Sequence, residues 1–91
     1  MSGKEIIWLE HAKQNQIDRE IPIEEIQRTL ESPTWCESSY SGRTILMRIY
    51  QDPTLNQEML LRIVIEETTD YFLIITVYKT SNINRYIRRN Q

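Results

Sequence analysis

Two consecutive segments, residues 58–67 and 71–79, constrain this chain most. Leu60–Ile65 is apolar except for Arg62, and Tyr71–Tyr78 is apolar or aromatic except for Thr76. Both are rich in β-branched and aromatic residues, which suit a pleated surface. Only Thr68-Thr69-Asp70 separates them. A gap that short joins strands as an antiparallel hairpin. Side chains of a strand alternate between faces, so an unbroken apolar run is apolar on both. The two strands are therefore expected at the centre of a sheet, with helices packed on one side. The other face must then be covered as well, or be used for binding.

The rest of the chain is read around that hairpin. Trp8–Glu20 reads as a helix, with Trp8, Ala12 and Gln16 spaced along one face. Ile21-Pro22 closes it, because a residue before proline avoids the helical region. Pro22 suits the start of a second helix, expected over residues 22–32. Ile23, Ile26 and Leu30 form its apolar stripe. Glu24 and Glu25 stand in its first turn, where the helix dipole favours carboxylates. Ser32-Pro33 ends it. Strands are expected at 35–40, 44–51, 58–67 and 71–79. Ser41-Gly42 turns between the first two, and Asp52–Gln57 loops between the second and third. Residues 82–91 form a basic tail. The expected fold is α+β: two helices, then a four-stranded antiparallel sheet, in one domain spanning 1–91.

Length and composition bound this further. The chain has 91 residues, of which 40% are hydrophobic and 26% charged. That is enough for one thin core, and a second copy would add stability. An exposed edge strand on a small sheet also invites pairing, so a homodimer is an expectation. Cys36 is the only cysteine, which excludes an internal disulfide. With one histidine and one cysteine, a structural zinc site is not expected, nor any other metal or cofactor. No apolar run is long enough to cross a bilayer, and residues 1–10 lack a signal-peptide pattern, so a cytoplasmic protein without membrane contact is expected. Net charge is −2, but residues 1–40 carry −4 and residues 41–91 carry +2. Such asymmetry marks either a binding face or a solvated basic tail.

Three segments, in order and spacing, resemble a known family. They are His11-Ala12 with Arg19 and Ile21-Pro22-Ile23-Glu24-Glu25-Ile26, then Tyr40-Ser41-Gly42-Arg43. The third is Leu61-Arg62-Ile63-Val64-Ile65-Glu66, continuing to Ile75-Thr76-Val77-Tyr78-Lys79-Thr80-Ser81. Together they resemble an uncharacterised bacterial domain family related to the RelE/ParE-like and BrnT-like toxins of type II toxin–antitoxin systems. The resemblance spans about residues 7–86. It implies an α+β toxin-like fold, RNA as a target and a cognate antitoxin as a partner. The sequence departs from the family pattern at Asn15 and Tyr78, where arginines are usual. It departs again at Glu20, where glycine would cap the helix.

Cleavage of RNA through its 2′-hydroxyl needs a base, cations at the phosphorane and an acid for the leaving oxygen. His11 is the sole histidine, so a two-histidine mechanism is excluded; it serves either as one acid or base or as a helix-surface residue. Arg48 and Arg62 lie in strands that otherwise read as core, where an unpaired charge is costly. They are expected either to meet as a phosphate clamp or to pair with Glu66 or with carboxylates of the helices. Tyr78, Lys79 and Ser81 end the last strand, and Arg85 with Tyr86 follows. This segment offers proton donors, charge and stacking surface, or else a strand end with a packed tail. The expected catalytic set is His11, Arg62, Tyr78 and Lys79. The expected nucleic-acid contacts are Arg19, Arg43, Arg48, Ser81, Arg85 and Tyr86. Two functions stay open: a toxin-like RNA-binding protein or metal-independent endoribonuclease, and a non-enzymatic domain that binds a protein or nucleic acid.

Overall fold

A computed structural model describes residues 4–87. The chain is α+β, with a five-stranded sheet in the order β1-β5-β4-β3-β2. The strands are β1 (Glu5–Trp8), β2 (Trp35–Ser38), β3 (Thr44–Asp52), β4 (Gln57–Glu67) and β5 (Tyr71–Thr80). The helices are α1 (Glu10–Asp18), α2 (Ile23–Glu31) and the single turn α3 (Ile83–Tyr86). The expected hairpin, β4 with β5, is antiparallel and central. Residues 88–91 of the basic tail lie outside the described residues.

Two expectations are corrected. The sheet has five strands, not four, and it is mixed rather than antiparallel. The extra strand is β1, which runs parallel to β5 with Ile6 opposite Phe72 and Trp8 opposite Ile74. Trp8 therefore closes a strand instead of opening a helix. Four residues are too short to show a period, and Trp8 with Ala12 also fits a helical spacing. Only the open edge of β5 makes Glu5–Trp8 a strand.

Local chemistry explains how each helix stops. The α1 helix closes in a Schellman motif: the Glu20 amide donates to Ile17 O and the Ile21 amide to Gln16 O. Glu20 adopts the left-handed conformation this motif requires, at φ 54°. Gln16 Nε2 returns a hydrogen bond to Ile21 O at 2.7 Å. Pro22 then leads directly into α2, whose first turn holds Glu24 and Glu25. Of the expected stripe, Ile26 and Leu30 are buried, while Ile23 is exposed.

The sheet separates two apolar layers. On one face, α1 and α2 pack Ala12, Ile21, Ile26 and Leu30 against Leu61, Ile63, Ile65, Ile74 and Val77. On the other face, Ile83 and Ile87 cover Met47 and Leu60, with Trp35, Ile45, Ile49 and Tyr86 around them. The second face is thus closed at one end by the chain's own C-terminal turn. A β-bulge interrupts the β4–β5 ladder: Val64 faces Thr76, but Ile65 faces Ile74, leaving Ile75 as the extra residue.

Candidate nucleic-acid interface

The bulge and register decide which side chains share a face. Met47 stands opposite Arg62, and Arg48 opposite Leu61. Neighbouring residues on a strand point to opposite faces, so Arg48 and Arg62 are separated by the sheet. The expected clamp between them does not form. Arg48 instead reaches Glu25 of α2, with Nη1 2.7 Å from Oε1. Arg28 binds the other oxygen of the same carboxylate at 3.2 Å.

Lys79 is on the helix side with Arg48, opposite Leu61. Its ammonium donates to Asp52 Oδ2 at 2.7 Å, and Tyr50 OH donates to the same oxygen at 2.6 Å. Asp52 Oδ1 accepts the Thr54 and Leu55 amides, each at 2.9 Å. An Asp beginning a turn often caps the amides that follow it, and here the turn is Pro53–Asn56. Asp52 is fully buried, and Tyr50 nearly so. Burial pushes the Asp52 carboxyl up, but the hydrogen bonds from Lys79, Tyr50 and Leu55 and the Lys79 charge outweigh it, leaving a pKa of about 2. Burial first, and then Asp52 itself, drive the Tyr50 phenol well above its ordinary range. Every group in this network has a partner. Lys79 is paired with the buried Asp52 carboxylate.

Arg62 has a different setting on the opposite face. Its Nε donates to Tyr78 OH, and its Nη1 lies 3.1 Å from Met47 Sδ. The guanidinium carbon is 4.2 Å from the centre of the Tyr86 ring and 5.4 Å from that of Tyr78. The side chain is sandwiched between two aromatic rings and is only 7% exposed. Among the described residues, no carboxylate forms an ion pair with it. A buried cation normally finds an anion, because desolvation is otherwise uncompensated. Stacking on tyrosine faces offsets part of that cost.

The surface around this cluster is polar. Arg85 is exposed and lies 5.8 Å from the Tyr86 ring centre. An open pocket of about 410 Å³ adjoins α3, lined by Gln57, Glu58, Ser81, Asn82, Ile83 and Asn84. Amides and hydroxyls dominate this lining. Gln57, Asn82 and Asn84 were not expected from the sequence. Each is an ordinary loop residue until the β4 start and the β5 end are brought side by side.

The structure therefore brings Arg62, Tyr78, Arg85 and Tyr86 together, while Ser81 lines the adjoining pocket beside α3. The remaining candidates lie elsewhere. His11 sits exposed on α1, within 3.2 Å of Asn15 Nδ2, and Asn15 donates to Thr76 Oγ1 at 3.1 Å. Arg19 follows α1, with Nη1 3.4 Å from Val77 O. Both belong to the helix layer. Arg43 is exposed beyond the Tyr40–Gly42 turn, next to β3. Among the described residues, no helix is long and apolar enough to cross a membrane. No protein-family model matches this chain, and neither a curated protein nor a solved structure matches it significantly.

Proposed function

We propose that this protein binds single-stranded RNA at the end of the sheet built from β4, β5 and α3, and that it does so without cleaving the strand. The observation carrying this reading is the Arg62 guanidinium, buried between Tyr78 and Tyr86 with no carboxylate to neutralise it among the described residues. An uncompensated charge in a low-dielectric setting projects a positive potential onto the surface above it. Arg85 adds an exposed cation at the same place, and the sequence continues with Arg88 and Arg89. Phosphate is the anion such a surface attracts. The neighbouring pocket supplies amide and hydroxyl groups of the kind that read unpaired base edges. Tyr86 offers a partly exposed ring for stacking.

A nuclease would need several proton-transfer groups around one phosphate. Here His11 lies in the helix layer, across the sheet from Arg62. Lys79 is held by Asp52 on that same helix side. The arrangement supports binding more than chemistry. The toxin-like ribonuclease reading stands second and rests on the sequence resemblance alone.

The test is fluorescence anisotropy with a labelled single-stranded RNA dodecamer. Binding is expected to weaken with salt, and Arg85→Ala is expected to reduce the slope of log K against log salt by about 0.7, the value for one phosphate contact on a single strand. Tyr86→Leu, which keeps an apolar cover over Met47 and Leu60, is expected to lower affinity about tenfold through lost stacking. A salt-independent interaction, or none, removes the RNA reading. Expression in a bacterium separates the second reading: growth arrest with transcript cleavage would establish a nuclease instead.

A further inference from the structure

The far edge of the sheet carries a second surface, independent of the RNA reading. Strand β2 pairs with β3 on one side only, so alternate backbone N–H and C=O groups along Trp35–Ser38 face outward. Short length, charged side chains, proline or a covering loop blunt such edges, and the four-residue β2 carries one charge, Glu37, which restricts what can pair with it. No lysine or proline lies in Trp35–Ser38, and Cys36, Glu37 and Ser38 are all exposed.

Three side-chain features converge on this edge. Glu37 is opposite Ile45, so it lies on the face that carries Trp35 and Ile45. Among the described residues, it has no ion pair. Tyr40 is 88% exposed, the most exposed large hydrophobic side chain among the described residues. It opens a tight turn in which Ser41 takes a left-handed φ of 58°. A cavity of about 480 Å³ lies between these groups, lined by Glu37, Ser38, Ser39, Tyr40 and Ile45. Tyrosine combines apolar area with a polar tip, and its rings frequently anchor interfaces.

We propose that β2 is a docking edge for an extended peptide segment of a partner protein, which adds to the sheet as a sixth strand. Main-chain hydrogen bonds supply affinity in this mode, and side-chain pockets at alternate positions supply specificity. The occupant is defined by charge and shape. It carries a lysine or arginine opposite Glu37, and an apolar side chain two residues away on the same face for the Tyr40–Ile45 cavity. A second copy of this chain fits less well. A symmetric pairing centred on β2 would put Cys36 opposite Glu37, and Trp35–Ser38 offers no cation to meet that carboxylate in any register.

The test uses the synthetic peptide Thr-Val-Thr-Lys-Thr-Val-Thr, its lysine-to-glutamate version, and the full chain. Binding of the lysine peptide is expected, with backbone amide shifts in NMR spectra centred on residues 35–40. Glu37→Lys is expected to weaken it at least about tenfold and to bind the glutamate peptide instead. Tyr40→Ala is expected to weaken the lysine peptide by a similar factor. Both positions are exposed, and unchanged thermal melting of the variants confirms that the fold is retained. Equal affinity for both peptides, or shifts centred elsewhere, overturns the proposal. Self-association in sedimentation that Glu37→Lys abolishes overturns it in favour of a second copy. Loss of RNA binding at α3 leaves this outcome unaffected, so the two readings fail separately.

Discussion

Arg62 and Lys79 begin as near neighbours. Lys79 faces Leu61 across the β4–β5 ladder, one position from Arg62. One step along a strand changes the face, and the face changes the role. On the helix side, Lys79 meets Asp52, Tyr50 and a capped turn, and every polar group is satisfied. On the opposite side, Arg62 meets two aromatic rings and a thioether, with no carboxylate among the described residues. A cation paired with a buried anion belongs to the scaffold. A cation held by aromatic rings, a phenol oxygen and a thioether has no anion to neutralise it among the described residues.

The largest expected effect breaks the scaffold half. Asp52→Ala strands Lys79 and Tyr50 without their acceptor and uncaps the turn after β3. It is expected to cost about 3–5 kcal/mol, the usual penalty for removing one partner of a buried ion pair. Urea unfolding measures this. A loss below about 1 kcal/mol would mean that water replaces the carboxylate and that the network does not hold the fold.

Acid sharpens the same contrast. The Asp52 pKa falls from an ordinary 3.8 to about 2 in the folded chain. A group whose pKa is lowered on folding stabilises above its unfolded value and loses that contribution as pH falls through the folded value. Stability from Asp52 is therefore complete above pH 3.8 and drains toward pH 2, with an amplitude on the order of 2 kcal/mol. In Asp52→Asn that part of the acid limb is expected to vanish. A variant whose acid unfolding curve keeps the wild-type shape would show that other carboxylates set it.

Arg62 offers the opposite result. Replacing a buried charge by an apolar side chain of similar length is often neutral or stabilising, so Arg62→Met is expected to change stability by less than about 1.5 kcal/mol. RNA affinity is expected to fall while the fold remains. A loss as large as that of Asp52→Ala would assign Arg62 to the scaffold and end the comparison. Arg62→Ala is a poorer probe, because it also leaves a cavity under Tyr86.

The smallest effect supplies a margin for those variants. Glu20 occupies the left-handed position of the α1 cap, where glycine is strain-free. Glu20→Gly is expected to stabilise the chain by about 0.5–1 kcal/mol without touching either cluster. Thermal melting measures it, and no change would show that the Schellman hydrogen bonds already absorb the strain.

Much of the scaffold is legible from sequence. The β4–β5 hairpin follows from two apolar runs and a three-residue gap. The α1–α2 junction follows from Ile21-Pro22. The β3–β4 loop follows from Asp52-Pro53. Each of these signals is local. The clustering of Tyr78, Ser81, Arg85 and Tyr86 was partly legible because they are close in sequence. Arg62 joins them only through strand register. Asp52 reads as a loop residue in the sequence, and its tie to Lys79 spans 27 positions. Arg48 and Arg62 could not be assigned to faces until the loop length and the register between β3 and β4 were known.

The sequence by itself determined that a two-faced apolar hairpin would lie at the centre and that its second face needed a cover. Alternation and burial impose both on any chain with this pattern. Only the tertiary structure decided what the cover is, that β1 joins β5 in parallel, and which cation found an anion. Those outcomes depend on contacts between residues far apart in the chain, where a shift of one position exchanges one face of the sheet for the other.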